Sequence, residues 1–301
     1  MKINLIGTLY TRLKYLKHRI TNSSRYKLTN RVIQYIESDG CKLPKEEKII
    51  IKHFLSKILV SQISYPWIKA YHYRNLPVYW DKDRELYYVL HHEKRLYFKK
   101  GLSKSKIREM YNALCIEMDV RSPHAYHAFS IDYQPSDIAV DIGSAEGIWA
   151  LDIINQVSAL YLFECEQGWI EALYATFAPW KEKVQIVNKY VSDVSDKTNV
   201  TLDNYFLPKN IFPTIIKADI EGAEISLVKG APLLLQNHIR HAILCTYHHP
   251  DDFAILSSMM QSCHFEIQPS KGYMISIYSE ADYGCRDITK IFRTGLIHAC
   301  K

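Results

Sequence analysis

The chain has 301 residues, 48% of them hydrophobic and 23% charged, a balance that excludes a disordered chain and suits one large domain or two ordinary ones. Its net charge of +6 belongs to the N-terminus: residues 1–36 hold eight Lys/Arg and no acid, while residues 37–301 hold thirty basic and thirty-two acidic residues. So neutral a body excludes a nucleic-acid binder, which carries its basic stripe on the folded domain.

The opening segment, residues 1–21, spaces Leu5, Ile6, Leu9, Leu13, Leu16 and Ile20 as a helical stripe, with Arg12, Lys14, Lys17 and Arg19 on other faces. Basic residues interrupt every apolar core that a signal peptide would need. Residues 1–36 therefore form a basic amphipathic segment with three open readings. It packs as a helix on its own domain or on a partner subunit, it is a peripheral anchor drawn to anionic lipid at the inner face of a membrane, or it is a loose, disordered tail.

Residues 37–125 read as an α+β appendage. Ile49, Ile50, Phe54, Ile58, Leu59 and Ile63 predict an amphipathic helix over 44–70. Residues 86–90 and 95–98 flank a polar turn at 91–94, the pattern of a hairpin. Ser103 is placed to cap a helix running to about residue 119.

From residue 126 onward short apolar runs alternate with helical periodicity. Strands are expected at 138–142, 159–164, 184–191, 214–218 and 241–247, with helices around 146–156, 167–178, 222–236 and 251–263. That alternation predicts an α/β domain with a mainly parallel sheet covered on both faces. Antiparallel closing strands are expected at 265–268, 273–278 and 294–299. No apolar run reaches the roughly 18 residues of a membrane span. Even residues 215–235 are broken by Lys217, Asp219, Glu221, Glu224 and Lys229. Seven scattered cysteines with no C-x-x-C pair suit a reducing cytoplasm better than a disulfide framework or a zinc site.

The first strand–helix junction reads VDIGSAEG at 140–147, where Gly143 and Gly147 allow a sharp turn and close backbone approach to a ligand. The loop has no basic residue, so a pyrophosphate or triphosphate is a poor fit, and Asp141 suits a cationic or polyhydroxylated ligand. Glu164, twenty-three residues later, ends the next strand where an acid can accept hydrogen bonds from ribose hydroxyls. Together they indicate an adenosine-type ligand, with NAD and S-adenosylmethionine as contenders. The stretch IIKADIEGAE at 215–224 ends a buried strand in Asp219, Glu221 and Glu224, more acids than helix capping alone explains.

Here the sequence resembles the FkbM-type S-adenosylmethionine-dependent methyltransferases, over about residue 117 to the end. DIGSAEG at 141–147 is similar to the family's cofactor loop, and Phe163–Glu164 to its ribose-binding acid. VSD at 191–193 and TLD at 201–203 resemble its later markers. KADIEGAE at 217–224 is the most distinctive block, Tyr247–His248 resembles a recurrent histidine after the fifth strand, and SPHAY at 122–126 resembles a segment of some members. The chain departs from the pattern at Ser144–Ala145, where Ala-Asn is usual, and at Cys165, where proline commonly follows the acid; neither change removes a carboxylate.

The resemblance implies a Rossmann-like methyltransferase fold with a mainly parallel sheet and an antiparallel C-terminal end over 126–301, preceded by the α+β appendage. It implies S-adenosylmethionine as cofactor, bound by Asp141, Gly143, Ser144, Glu146, Gly147, Glu164, Ser192, Asp193 and Asp219. The implied reaction is methylation of a hydroxyl on a sugar, glycan or secondary-metabolite acceptor, with His124, Tyr126, Glu224 and His249 as acceptor-side residues. Asp219 is the first candidate for general base, His248 the second, with Glu221 beside them. Asp219, Glu221 and His248 also form a candidate set for magnesium or manganese. Two other classes compete: a non-catalytic methyltransferase-like module in membrane-associated glycan assembly, and an NAD-dependent dehydrogenase, which lacks its three-glycine fingerprint.

Overall fold

The computed structural model describes residues 23–276 and 287–301, so the expected helix over 1–21 lies outside the described residues. Two compact units divide the chain, Met1–Ile68 with Met274–Phe292, and Lys69–Tyr273 with Arg293–Lys301. The boundary expected at 125/126 is therefore not where the units part. Residues 69–125 belong with the large sheet, for reasons visible in their hydrogen bonds below. No helix among the described residues is long and apolar enough to cross a membrane.

In the first unit, α1 (Ser23–Glu37) buries Leu28, Val32 and Ile36 at helical spacing, and α2 (Lys45–Leu55) buries Ile51, Phe54 and Leu55. The helix expected over 44–70 stops at Leu55. Downstream, Ser64 Oγ donates to the Ser61 carbonyl and accepts from the Ser61 N–H, a local arrangement that competes with helical bonding. Pro66 then disfavours helix at the residue before it.

The second unit opens with a small antiparallel sheet, β1 (Tyr79–Asp81), β2 (Leu86–His91) and β3 (Lys94–Tyr97). His92 and Glu93 form the expected turn, both with positive φ. The Tyr97 N–H donates to Thr176 Oγ1 at 3.0 Å and Lys94 Nζ to the Leu151 carbonyl at 2.7 Å, bonds that tie the hairpin to the helices of the large sheet. Next comes α3 (Lys104–Glu117), capped as expected: Ser103 Oγ accepts the Lys106 N–H. Ser103→Ala should cost about 1 kcal/mol in denaturant unfolding, the usual worth of a lost N-cap, and an unchanged midpoint would show the bond to be idle.

Seven strands form the large sheet: β4 (Ile138–Ile142), β5 (Ala159–Phe163), β6 (Val184–Val187), β9 (Ile215–Ala218), β10 (His241–Cys245), β11 (Glu266–Pro269) and β14 (Leu296–Cys300). Their order is β11-β14-β10-β9-β4-β5-β6, parallel from β6 to β10, with β14 antiparallel to both its neighbours. This is the mainly parallel α/β sheet with an antiparallel C-terminal end expected from the sequence. The chain runs outward from β4 to β6, then returns through β9 on the other side of β4. Ligands bind at such a switch point, outside the carboxyl ends of the strands.

The covering helices are α4 (Ile148–Ile153), α5 (Gln167–Thr176), α6 (Leu202–Phe206), α7 (Glu224–Lys229), α8 (Pro232–Asn237) and α9 (Asp252–Ser262). The single helix expected over 222–236 is split into α7 and α8. Pro232 starts the second helix at a position that needs no N–H, and Asp203 caps it by accepting the Leu233 and Leu234 N–H groups. The run expected over 184–191 is likewise divided, because the Lys189 N–H turns back to the Val187 carbonyl. Beyond that turn β7 (Tyr190–Val191) pairs with β8 (Asn199–Val200) instead. Of the strand expected over 273–278, positions 277–278 lie outside the described residues; the rest holds β12 (Met274–Ile275), which, like β13 (Phe292–Arg293), lies outside the large sheet.

Candidate active site

At the switch point between β4 and β9 the strand ends open onto a cavity of about 390 Å³, within the ~300–1,000 Å³ of small-molecule sites. Gly143 follows β4 with φ 73°, and a Cβ there would lie 2.0 Å from the Asp219 carbonyl oxygen. Only glycine lets the two strand ends approach so closely. Around the cavity stand Glu164, Glu166, Asp219 and Glu221, with Lys189 as the cation and Trp169 as an aromatic wall. Glu166 is paired with Lys99, whose Nζ lies 5.0 Å from the Trp169 ring centroid, so three carboxylates stand against Lys189 and the wall still favours a cationic ligand over a pyrophosphate.

Glu164 is buried and fixed by two backbone donors, the Ala145 N–H on Oε2 at 2.8 Å and the Glu166 N–H on Oε1 at 2.7 Å. Each oxygen keeps a second lone pair for a ligand. Ala145 adopts φ 45° to reach it, a conformation uncommon for a residue with a Cβ.

Asp219 ends β9 as the hub of the site. Tyr126 Oη donates to its Oδ2 at 2.9 Å and Tyr247 Oη to its Oδ1 at 3.1 Å. His124 Nε2 stands 3.3 Å from Oδ2 and His248 Nε2 3.4 Å from Oδ1. Burial works to raise the Asp219 pKa, but His124, Lys217 and His248 hold the carboxyl well below the usual range. A carboxylate so stabilised is a good anchor and a poor base.

Lys217, in the middle of β9, sits beside Asp141 of β4 in register, with Nζ 2.9 Å from Asp141 Oδ1 and donating to the Gly143 carbonyl at 3.1 Å. Both side chains are almost wholly buried, so the charge of Asp141 is met inside the protein rather than offered to the cavity. Burial pushes Asp141 upward and Lys217 opposes it.

His248 follows β10 and is held from both sides. Its Nδ1 lies 3.1 Å from Glu224 Oε1, a fully buried carboxylate at the start of α7 that also accepts the Ile220 N–H. Its Nε2 faces Asp219 and, at 3.5 Å, the 85% exposed Glu221. Burial acts to lower the His248 pKa, but Glu224, Asp219 and Glu221 outweigh it and raise the group above its ordinary value of 6.5. The turn between β9 and α7 packs under His249: at Gly222, with φ 99°, a Cβ would lie 2.4 Å from His249 Nε2.

The sequence-derived residues thus fall into separate places. Gly143, Glu164, Asp219 and Glu221 line the cavity, whereas Asp141, Ser144, Glu146, Gly147, Ser192 and Asp193 do not. Ser144 Oγ donates to the Asp141 carbonyl, and Ser192 Oγ donates to Asp193. Burial pushes the Glu146 carboxyl up to about 7. His124, Tyr126, Glu224 and His248 gather behind Asp219, and His249 is exposed beside them. The sequence alone does not assign Lys217, Trp169 or Tyr247 to the site. Lys217 carried a readable signal, since a lysine inside a buried strand needs an anionic partner. Tyr247 carried none beyond its place before His248.

The chain matches no protein-family model and no curated protein sequence. Among solved structures it is similar to methyltransferase FkbM from Methylobacillus flagellatus KT, at 15% identity and TM-score 0.43, over 68% of this chain and 56% of that one. It is similar to precorrin-6y C5,15-methyltransferase from Geobacter metallireducens GS-15, at 10% identity and TM-score 0.40, over 71% of this chain and 96% of that one. An rRNA methylase from Streptococcus thermophilus is similar at 11% identity and TM-score 0.37, over 56% of this chain and 89% of that one. The chain spans just over half the length of the first of these.

Proposed function

We propose that the chain is an S-adenosylmethionine-dependent methyltransferase that acts on a hydroxyl oxygen of a sugar, glycan or secondary-metabolite acceptor. The observation that carries this reading is the anionic cavity at the switch point, with Glu164 held rigidly on its wall. Glu164 would accept the ribose hydroxyls, the Gly143 turn would let backbone meet the ligand closely, and Asp219 would set negative charge near its cationic centre. When bound, the cofactor supplies an electrophilic methyl group on a positively charged sulfur.

The protein's own part is to orient the acceptor and take its proton. His248 suits the second task better than Asp219. Glu224 holds its Nδ1, leaving Nε2 to accept a proton, in the manner of a carboxylate-oriented histidine base. Asp219 then orients Tyr126 and Tyr247 at the acceptor side. A magnesium or manganese ion on Asp219, Glu221 and His248 is the competing arrangement. Full activity in EDTA is the expected result; loss restored by either ion would favour the metal.

Calorimetric titration with S-adenosylmethionine against NADH tests the cofactor. Micromolar binding of NADH with none of the sulfonium compound would sink the proposal. Glu164→Gln keeps the shape and an acceptor for one backbone N–H but removes the charge. It should weaken S-adenosylmethionine binding by about 10–100-fold, the worth of charge-assisted hydrogen bonds of about 1.5–3 kcal/mol. Unchanged affinity would mean that the ribose is held elsewhere.

A further inference from the structure

Away from the cavity, three histidines converge on one carboxylate. His91 and His92 at the tip of the hairpin and His127 in the turn before β4 surround Asp152 of α4. His91 Nε2 lies 2.9 Å and His92 Nε2 3.9 Å from Asp152 Oδ1, and His127 Nε2 lies 2.9 Å from Oδ2. We propose that His91, His92 and Asp152 bind a zinc ion, with His127 and Tyr111 as the groups that orient the ligands.

Geometry and chemistry both favour this. One ligand atom from each of His91, His92 and Asp152 lies within 4.8 Å of the other two. Tetrahedral zinc with bonds of about 2.0–2.1 Å sets its ligands ~3.3 Å apart, between the two distances found on Oδ1. Two imidazoles with one carboxylate suit zinc rather than magnesium or calcium, which take oxygen shells. A three-residue set leaves the fourth position, on the solvent side by the 75% exposed His92, to water.

The hairpin brings two of the rings together: His91 ends β2 and His92 opens the two-residue turn, with ring centroids 4.3 Å apart. His92 and Glu93 hold that turn with φ 46° and 66°, where Asn or Gly is usual. The remaining nitrogen of His91 is also engaged, with Nδ1 3.1 Å from Tyr111 Oη, and His127 holds the second carboxylate oxygen. Ligating histidines and carboxylates have such outer partners. A single ion pair would need only one of these rings.

The test is titration of the full chain, stripped with chelator, with zinc chloride, followed by calorimetry and thermal unfolding. One equivalent should bind at this site at micromolar or lower concentration and raise the melting temperature. His92→Ala, at an exposed position that does not threaten folding, should lose that equivalent. His127→Ala should weaken it by about 10–100-fold, the usual effect of removing an orienting partner. Failure of the folded chain to bind zinc at tens of micromolar would overturn the proposal. So would a His92→Ala variant that binds zinc as the parent does, since the ion would then sit elsewhere. Neither outcome bears on the cofactor cavity.

Discussion

His248→Ala is expected to lower turnover by about 10²–10⁴-fold, the range for loss of a positioned general base, while S-adenosylmethionine affinity changes little. Affinity is spared because His248 stands behind Asp219 and does not line the cavity. The pH profile gives the sharper test. A histidine base works in its neutral form, so the rate falls as pH drops through its pKa. Burial pulls that pKa down, but Glu224, Asp219 and Glu221 pull it up further, so the acidic limb should lie above pH 6.5. Glu224→Gln removes the largest of the raising contributions, and should move the limb to lower pH and slow the reaction by misorienting the ring. In His248→Ala the limb should vanish. If Asp219 were the base, Asp219→Asn would cause the larger loss, and the parent itself would show no acidic limb above pH 6.5, because that carboxyl is held well below the usual range.

The parts of this site legible in the sequence are those fixed by strand ends. A buried parallel strand is a short apolar run, and the residue that ends it reaches the ligand edge of the sheet. Gly143, Glu164 and Asp219 could therefore be placed from the chain alone, as could the mainly parallel sheet and its antiparallel C-terminal end. Register and long-range approach were not legible. Asp141 looks like a ligand group until β4 and β9 pair, when it lies beside Lys217, 76 positions away. Tyr126 reaches Asp219 from 93 residues upstream, and no local pattern announces that contact. Where the compact units part was not legible for the same reason, because the Tyr97–Thr176 bond joins the hairpin to the sheet domain across 79 residues. Helix 44–70 failed differently: its apolar spacing persists past Leu55, but the helix stops there, and the Ser61–Ser64 hydroxyls hold the segment beyond it in local bonds instead.

Lys217→Met should be the most damaging single change to stability. The lysine is 5% exposed and its partner Asp141 1%. Methionine fills much of the same volume, so packing is largely kept and the loss is chiefly electrostatic. Removing one member of a buried ion pair leaves the other charge uncompensated, at about 3–5 kcal/mol. Asp219, which Lys217 also stabilises, loses a second contribution. Adding Asp141→Asn removes the stranded charge, so the double variant should be more stable than Lys217→Met alone, and the two losses should not add. The pH dependence has a definite sign. Burial already raises the Asp141 pKa, with Lys217 opposing, and without the lysine the folded-state value rises further above the unfolded one. The folded variant then binds a proton that the unfolded chain releases, so its deficit is greatest at neutral pH and shrinks as the solution is acidified. Denaturant unfolding of the parent, both single variants and the double variant, at neutral and mildly acidic pH, measures each term. Additive losses with no recovery in acid would show that Asp141 and Lys217 are not coupled, and that the charge of Asp141 is open to the ligand after all.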